Sequence, residues 1–75
     1  MTKVLKHTTF MDEQNNVLFL QYYTTNGVDK YWRYGFYDFD GAHFISEKLV
    51  SKPKKQTLAN IFGYKIVKDV TVNIN

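Results

Sequence analysis

Residues 17–50 read VLFLQYYTTNGVDKYWRYGFYDFDGAHFISEKLV and decide the fold of this chain. The stretch contains two hairpin signals, Asn26-Gly27 and Asp40-Gly41, each flanked by β-branched and aromatic residues. Such pairs favour two-residue turns because the central positions of those turns need positive φ angles. The sequence therefore predicts three consecutive antiparallel strands. These strands are expected near residues 17–25, 28–39 and 42–50.

The segments on either side of this meander predict two further strands and a helix. A first strand is expected over residues 3–10, and its charged residues suit the edge of a sheet. Near residue 51 the pattern changes: Ser51 can cap a helix, Pro53 suits its first turn, and Gly63 supplies a stop. The helix is indicated by apolar residues at helical spacing, namely Leu58, Ile61 and Phe62. A final half-buried strand is indicated by apolar residues at a period of two, namely Tyr64, Ile66, Val70, Val72 and Ile74.

The predicted fold is a single α+β, mostly β domain over residues 1–75. It is an antiparallel meander of about five strands with one short helix before the last strand. This order resembles that of small SH3-like barrels, and Gly35 in mid-strand is where a bulge or bend could close such a barrel. The alternative is a small open sheet packed on the helix. Residues 42–50 could also be helical, since Ile45 and Leu49 are four apart, but Asp40-Gly41 favours a strand.

Two-residue turns would fix the strand register, with Thr25 opposite Val28 and Phe39 opposite Ala42. One face of the sheet then carries Val17, Phe19, Gln21, Tyr23, Trp32, Tyr34, Phe36, Ile45 and Leu49, with Glu47 across from Tyr34. The other carries Leu18, Leu20, Tyr22, Tyr31, Arg33, Gly35, Tyr37, Phe39, Phe44, Lys48 and Val50. Neither face is polar, although a solvated antiparallel sheet normally has one polar face. Such a meander must either curl into a barrel that covers parts of both faces or leave one face partly open for a partner, a second copy of the chain or nucleic acid.

The second of these faces is the expected binding surface because most of its aromatic residues are tyrosines, whose hydroxyls can remain hydrated. It also places Arg33 opposite Lys48, with no acidic residue in that register to relieve the repulsion. An external anion or the tyrosine rings would relieve it. The predicted partner-binding residues are Tyr22, Tyr31, Arg33, Tyr37, Phe44 and Lys48.

The chain has ten Lys+Arg and seven Asp+Glu, for a formal charge of +3. No acidic residue lies between Lys48 and Lys68. Within this segment Lys52, Lys54 and Lys55 surround the expected start of the helix, whose free N–H groups can meet an anion. These three lysines are the predicted anion- or phosphate-binding residues.

Catalysis and cofactor binding are not expected from this sequence. It has no cysteine, and His7 and His43 are its two histidines, so neither a disulfide framework nor a structural zinc site is predicted. The one His-carboxylate pair that the predicted register offers is His43 with Asp38, expected as an exposed ion pair at a hairpin tip. We expect no cofactor and no metal.

The sequence is most consistent with a small non-catalytic binding module for a protein partner, of the adaptor or inhibitor type that phage and mobile elements often encode, or for a second copy of itself. Interface centres favour Tyr and Trp, which are dense in the second and third predicted strands. The alternative is a nucleic-acid-binding module that combines tyrosine stacking with the lysines at the helix start. The longest apolar run is residues 17–20, and residues 1–10 lack a signal-peptide stretch, so a cytoplasmic protein without membrane contact is expected.

Overall fold

The computed structural model describes residues 1–63 and 65–74 and has one five-stranded antiparallel sheet and one helix. The strands are β1 (Lys3–Asp12), β2 (Val17–Thr24), β3 (Lys30–Asp38), β4 (Gly41–Leu49) and β5 (Ile66–Asn73), and the helix is α1 (Lys55–Phe62). The order across the sheet is β4-β3-β2-β1-β5. This confirms the predicted mostly β class, and of the two architectures considered the structure has the open sheet packed on the helix. Residues 42–49 form strand rather than helix, as Asp40-Gly41 indicated.

The prediction that the first strand lies at a sheet edge is wrong. β1 lies between β2 and β5, because β5 returns antiparallel beside it after the helix. The hydroxyls of Thr8 and Thr71 hydrogen-bond across this pair at 2.8 Å. The lysines of β1 are near its first end, while Thr8 and Phe10 further along are buried. The edges of the sheet are therefore β4 and β5.

The helix begins later than predicted and ends where predicted. Lys54 is its N-cap, with extended backbone angles and no side-chain cap, so neither Ser51 nor Pro53 belongs to it. Proline disfavours helical geometry in the residue before it, which keeps this entry segment extended. Gly63 ends the helix with a φ of 69°. The helix buries Leu58 completely against the sheet, in a core with Phe10, Leu18 and Leu20.

The predicted register between the second and third strands is wrong by one residue. Residues 25–29 form a longer loop, in which the Asn26 Oδ1 accepts hydrogen bonds of 2.8 Å from the backbone N–H groups of Val28 and Asp29. Tyr23 consequently lies opposite Tyr31, and Thr24 opposite Lys30. Because side chains alternate between faces, this slip moves every β2 side chain to the other face relative to β3.

The second hairpin also differs from the prediction, but residues 35–38 and 41–44 keep their predicted faces. Asp38 lies opposite Gly41, so Phe39 and Asp40 form the turn, and Gly41 has a φ of 121°. The shift from the predicted pairing of Phe39 with Ala42 is two residues, which matches the two-residue period of a strand. Two irregularities in the pairing then restore the predicted register farther along, where Trp32 lies opposite Leu49.

Gly35 lies beside one of these irregularities, as a mid-strand glycine suggests. A Cβ at this position would overlap the carbonyl oxygen of His43 and lie 2.9 Å from the Phe19 Cζ. The glycine is thus required by close approach of the neighbouring strand and ring. It does not close a barrel, since β4 and β5 remain at opposite ends of the sheet.

The last strand is more exposed than its period-two pattern predicts. Val67, Val70 and Val72 are each about half exposed, and Ile66 is the part of β5 that packs on the core. The reason is that β5 lies at an edge of the sheet and that Val70 and Val72, opposite Thr9 and His7, point to the side of the sheet away from α1. Tyr64, predicted to begin this strand, lies outside the described residues.

Candidate functional site

The sheet has two faces of different construction, which follow from the observed pairing and the alternation of side chains. The helix face, on which α1 packs, carries Thr8, Phe10, Leu18, Leu20, Tyr22, Trp32, Tyr34 and Phe36. The opposite side, called the far face below, carries His7, Thr9, Phe19, Gln21, Tyr23, Tyr31, Arg33, Tyr37 and Phe44, with Val70 and Val72 on β5.

The far face contains buried residues although, within residues 1–63 and 65–74, no helix covers it. Phe19 is 1% exposed and Tyr23 is 2% exposed. The Phe19 ring is covered by Tyr37 at a centroid distance of 4.9 Å and by Phe44 at 5.4 Å, edge to face. His7 stacks beside it at 6.0 Å. The far face thus shields its own centre with an outer layer of rings.

Arg33 lies at the centre of this aromatic layer. Its guanidinium is 4.5 Å from the ring centroid of Tyr23 and 4.3 Å from that of Phe44, within cation-π range of both. Its Nε donates to the Gln21 Oε1 at 2.7 Å. Its Nη1 lies 3.5 Å from the Glu47 Oε1, and the Arg33 side chain is only 12% exposed. The arginine is therefore held by stacking, by hydrogen bonding and by a long ion pair.

These contacts correct the expected repulsion between Arg33 and Lys48. Glu47 supplies the acidic partner that the predicted register lacked. Lys48 has a φ of 59°, and its backbone N–H donates to the Tyr23 hydroxyl at 2.9 Å. The pairing irregularity in β4 thus brings Glu47 to the arginine and ties this part of the strand to the buried tyrosine.

A row of polar side chains crosses the far face from β3 to β1. Beyond the Arg33–Gln21 bond, the Gln21 Nε2 is 3.0 Å from the His7 Nδ1. The His7 Nε2 is in turn 3.2 Å from the Thr9 Oγ1. Burial lowers the pKa of His7 below its usual value. The row links the histidine of β1 to the arginine of β3.

The structure brings four of the six predicted partner-binding residues together on the far face: Tyr31, Arg33, Tyr37 and Phe44. Tyr22 lies on the helix face instead, 4.6 Å from Trp32 between ring centroids. The reasoning from sequence missed Phe19, Gln21 and Tyr23, because the one-residue slip had put β2 on the wrong side. It missed His7 because the first strand was expected at a sheet edge. The signal was present in residues 24–29, where Thr24 and Asn26 offer side-chain oxygens to the loop backbone.

The three predicted anion-binding lysines lie on the other side of the molecule. Together with Pro53 and residues of β1, β2 and β5 they line a cavity of about 470 Å³. The Lys52 Nζ lies 5.5 Å from the ring centroid of Trp32. Lys55 donates to the Asp69 Oδ2 at 2.6 Å, while Lys54 is the helix N-cap. All three lysines therefore lie on the helix side of the sheet, and the sheet separates them from Arg33.

His43 and Asp38 form the expected exposed pair at the β3–β4 hairpin. The His43 Nε2 is 2.9 Å from the Asp38 Oδ1, and both side chains are more than a third exposed. This hydrogen bond lowers the pKa of Asp38. The imidazole also stacks on Phe36 at 4.9 Å, so the pair has a structural role in closing the hairpin.

The described residues offer few other starting points for function. Among them, no group of three or more histidine, aspartate or glutamate side chains could hold a metal ion. The eight-residue α1, the helix of the described part, is too short to cross a membrane. Comparisons of the chain with protein-family models, with curated proteins and with solved structures find no match.

Proposed function

We propose that this chain is a small non-catalytic protein-binding module that docks its partner on the far face. The observation that carries the proposal is the Arg33 guanidinium held by the rings of Tyr23 and Phe44, on the same face as the partly exposed ring of Tyr37. Residues that dominate protein interfaces are enriched in tyrosine, tryptophan and arginine. They act best when they are rigid before the partner arrives.

The far-face arginine meets this requirement for rigidity. Its guanidinium lies within cation-π range of two rings, and its Nε is engaged by Gln21. Ordering a long side chain on binding costs about 0.5–1.5 kcal/mol, and here that cost has been met in the free protein. The remaining edge of the guanidinium points toward Glu47, a half-exposed side chain that a partner could displace.

The outer layer around Arg33 supplies apolar surface for a partner to bury. Tyr37 is 38% exposed and Phe44 is 45% exposed. On β5, which pairs with β1, the half-exposed Val70 and Val72 extend the far face to the edge of the sheet. Exposed apolar groups that form one surface mark interaction sites more often than isolated ones do.

The nucleic-acid alternative is less well supported by this arrangement. It needs tyrosine platforms and lysines on one surface, as in grooves that follow a single strand. Here Tyr31 and Tyr37 are on the far face, whereas Lys52, Lys54 and Lys55 are on the helix side. Five cations that each neutralise a phosphate of a single strand would give a slope of log K against log salt of about −3.5. We expect a slope near zero.

We propose further that the protein acts in the cytoplasm. Its partner is then a protein that an adaptor recruits, an enzyme that it inhibits, or a second copy of the chain. Sedimentation velocity at high concentration tests whether the chain forms dimers. If the chain is a monomer, the partner is a different protein.

Affinity capture from native cells with matched surface variants tests the proposed function. Tyr37→Ser and Phe44→Ser change the far face, and Ile61→Ser is the control because Ile61 is 52% exposed on the helix. We expect a protein captured by wild type and Ile61→Ser to be lost with both far-face variants, with or without nuclease. Capture that persists in both variants, or that disappears with nuclease, would contradict the proposal.

A further inference from the structure

The polar row across the far face contains a titratable group, His7, which Gln21 connects to Arg33. We propose that His7 is a pH-sensitive element, whose protonation turns the Gln21 amide, breaks the Gln21–Arg33 hydrogen bond and so loosens Arg33 in mildly acidic solution. The inference goes beyond docking to its regulation, and its consequence for a partner rests on the proposed function.

The direction of each hydrogen bond in the row follows from the arginine. The Arg33 Nε can only donate, so the Gln21 atom at 2.7 Å from it must be the carbonyl oxygen Oε1. The amide nitrogen of Gln21 therefore faces the His7 Nδ1 at 3.0 Å and donates to it. The Nδ1 must accept, which requires a neutral imidazole with its hydrogen on Nε2. That hydrogen is donated to the Thr9 hydroxyl at 3.2 Å.

Protonation of His7 is incompatible with this chain of donors. It places a hydrogen on Nδ1, which then opposes the amide hydrogens of Gln21. If Gln21 turns over to present its oxygen to His7, its amide nitrogen opposes the Nε–H of Arg33 instead. In either case a bond of the row is lost, and the turned glutamine leaves the Arg33 Nε without its acceptor.

The surroundings of His7 favour its neutral form. From β2 it faces Phe19 and Gln21, from β5 Val72 lies opposite, and from β3 the Tyr37 ring lies 6.5 Å away. The charged and titratable groups of the far face are Arg33, Glu47, Lys68, Tyr23, Tyr31 and Tyr37. The one carboxylate among these described groups, Glu47 on β4, forms an ion pair with Arg33 on β3. Burial opposes a positive charge on His7 and lowers its pKa.

Nitrogen NMR of the free protein tests the switch without any partner. At pH 7.5 the ring nitrogens of His7 should show the Nε2–H form alone, and the Nε–H signal of Arg33 should be protected from exchange. Between pH 7 and pH 5 the Arg33 signal should shift or broaden with the same midpoint as His7. A His7 ring protonated on Nδ1 at pH 7.5, or an Arg33 signal that does not follow His7, would overturn the proposal.

Three variants test whether the response of the Arg33 signal to pH comes from His7 and passes through Gln21. His43→Gln removes the other histidine and should leave the response of Arg33 unchanged. His7→Gln should abolish the response. Gln21→Leu should let His7 titrate with no effect on Arg33, since the connecting amide is gone. A response of Arg33 that survives in Gln21→Leu would contradict the relay.

A docking measurement then separates the switch from the proposed function. For a partner captured through the far face, we expect Kd to rise about tenfold between pH 7.5 and pH 5.5 for wild type and His43→Gln, and to stay constant for His7→Gln. If NMR shows the release and Kd does not change, Arg33 is not the docking anchor. If NMR shows no release, the switch is wrong and the docking surface can still stand.

Discussion

The helix face and the far face bury their centres in different ways. Leu18 and Phe19 are neighbours on β2 that point to opposite sides, and each is 1% exposed. Leu18 is covered by a separate element, α1, through Leu58. Phe19 is covered by rings of its own sheet, Tyr37 and Phe44. A sheet can thus bury both faces with one helix, but the face that covers itself leaves its outer layer accessible.

The largest expected effect tests whether the far face is a true second core. Phe19→Ala should lower the free energy of unfolding by about 3–5 kcal/mol, and Leu18→Ala by about 2–5 kcal/mol. Both side chains are buried, and replacing either one with alanine leaves a cavity that its neighbours cannot fill. Urea denaturation monitored by Trp32 fluorescence gives both values. A loss below about 1 kcal/mol for Phe19→Ala alone would mean that the far face is not packed as described.

A smaller effect is expected where the two strands approach at Gly35. Gly35→Ala should lower the free energy of unfolding by about 1–3 kcal/mol, because its methyl group meets the His43 carbonyl and the Phe19 ring. Gly27→Ala is the matched control. No atom lies within 4 Å of its added Cβ, so its cost of about 1–2 kcal/mol comes from the φ of 81° instead. Urea denaturation of the two variants measures both costs, and a Gly35→Ala variant as stable as wild type would contradict the close approach.

Removal of an outer ring should affect docking more than stability. Tyr37→Ala should cost about 1 kcal/mol of unfolding free energy, since the ring lies on the surface and covers Phe19 from one side. The same variant should abolish partner capture. Trp32→Ala, on the helix face, should cost clearly more stability. Thermal denaturation and capture of both variants check this contrast, and similar stabilities would undermine the assignment of faces.

The smallest expected effect is a decrease in the free energy of unfolding as the pH is lowered. The pKa of His7 is lowered in the folded state, so the unfolded chain binds more protons between the folded pKa and the ordinary value of about 6.5. The free energy of unfolding should therefore be highest above pH 6.5 and fall as the pH drops through the folded pKa of His7. His7→Gln should remove this fall in the window above pH 5, while His43→Gln should retain it. A flat wild-type profile in that window would contradict the buried neutral histidine.

Much of the fold could be predicted because the relevant signals are local. Alternating apolar residues identify the strands, and Gly63 marks the end of α1 because it adopts the left-handed conformation that favours glycine. Edge positions could not be read in this way. Charges in β1 suggested an edge, but the position of β5 depends on how the chain returns after the helix.

The candidate site was only partly predictable because it depends on register. Arg33, Tyr37 and Phe44 belong to β3 and β4, where the predicted register is off by two residues beside Tyr37 and Phe44, which keeps their side chains on the predicted face. Phe19 and Gln21 belong to β2, where an error of one residue reverses the face. Asn26-Gly27 is compatible with both loop lengths, and the choice between them depends on hydrogen bonds from the Asn26 side chain to the backbone of the loop.

Proton-proton NOE contacts of the Phe19 ring test the central claim most directly, namely that β2 presents Phe19 to the same side as Tyr37 and Phe44. The observed register predicts NOEs from Phe19 to both of these rings, whose centroids lie 4.9 Å and 5.4 Å away. NOEs from Phe19 to Trp32 or Phe36 instead would show that β2 is turned the other way. That result would contradict the far face and the site built on it.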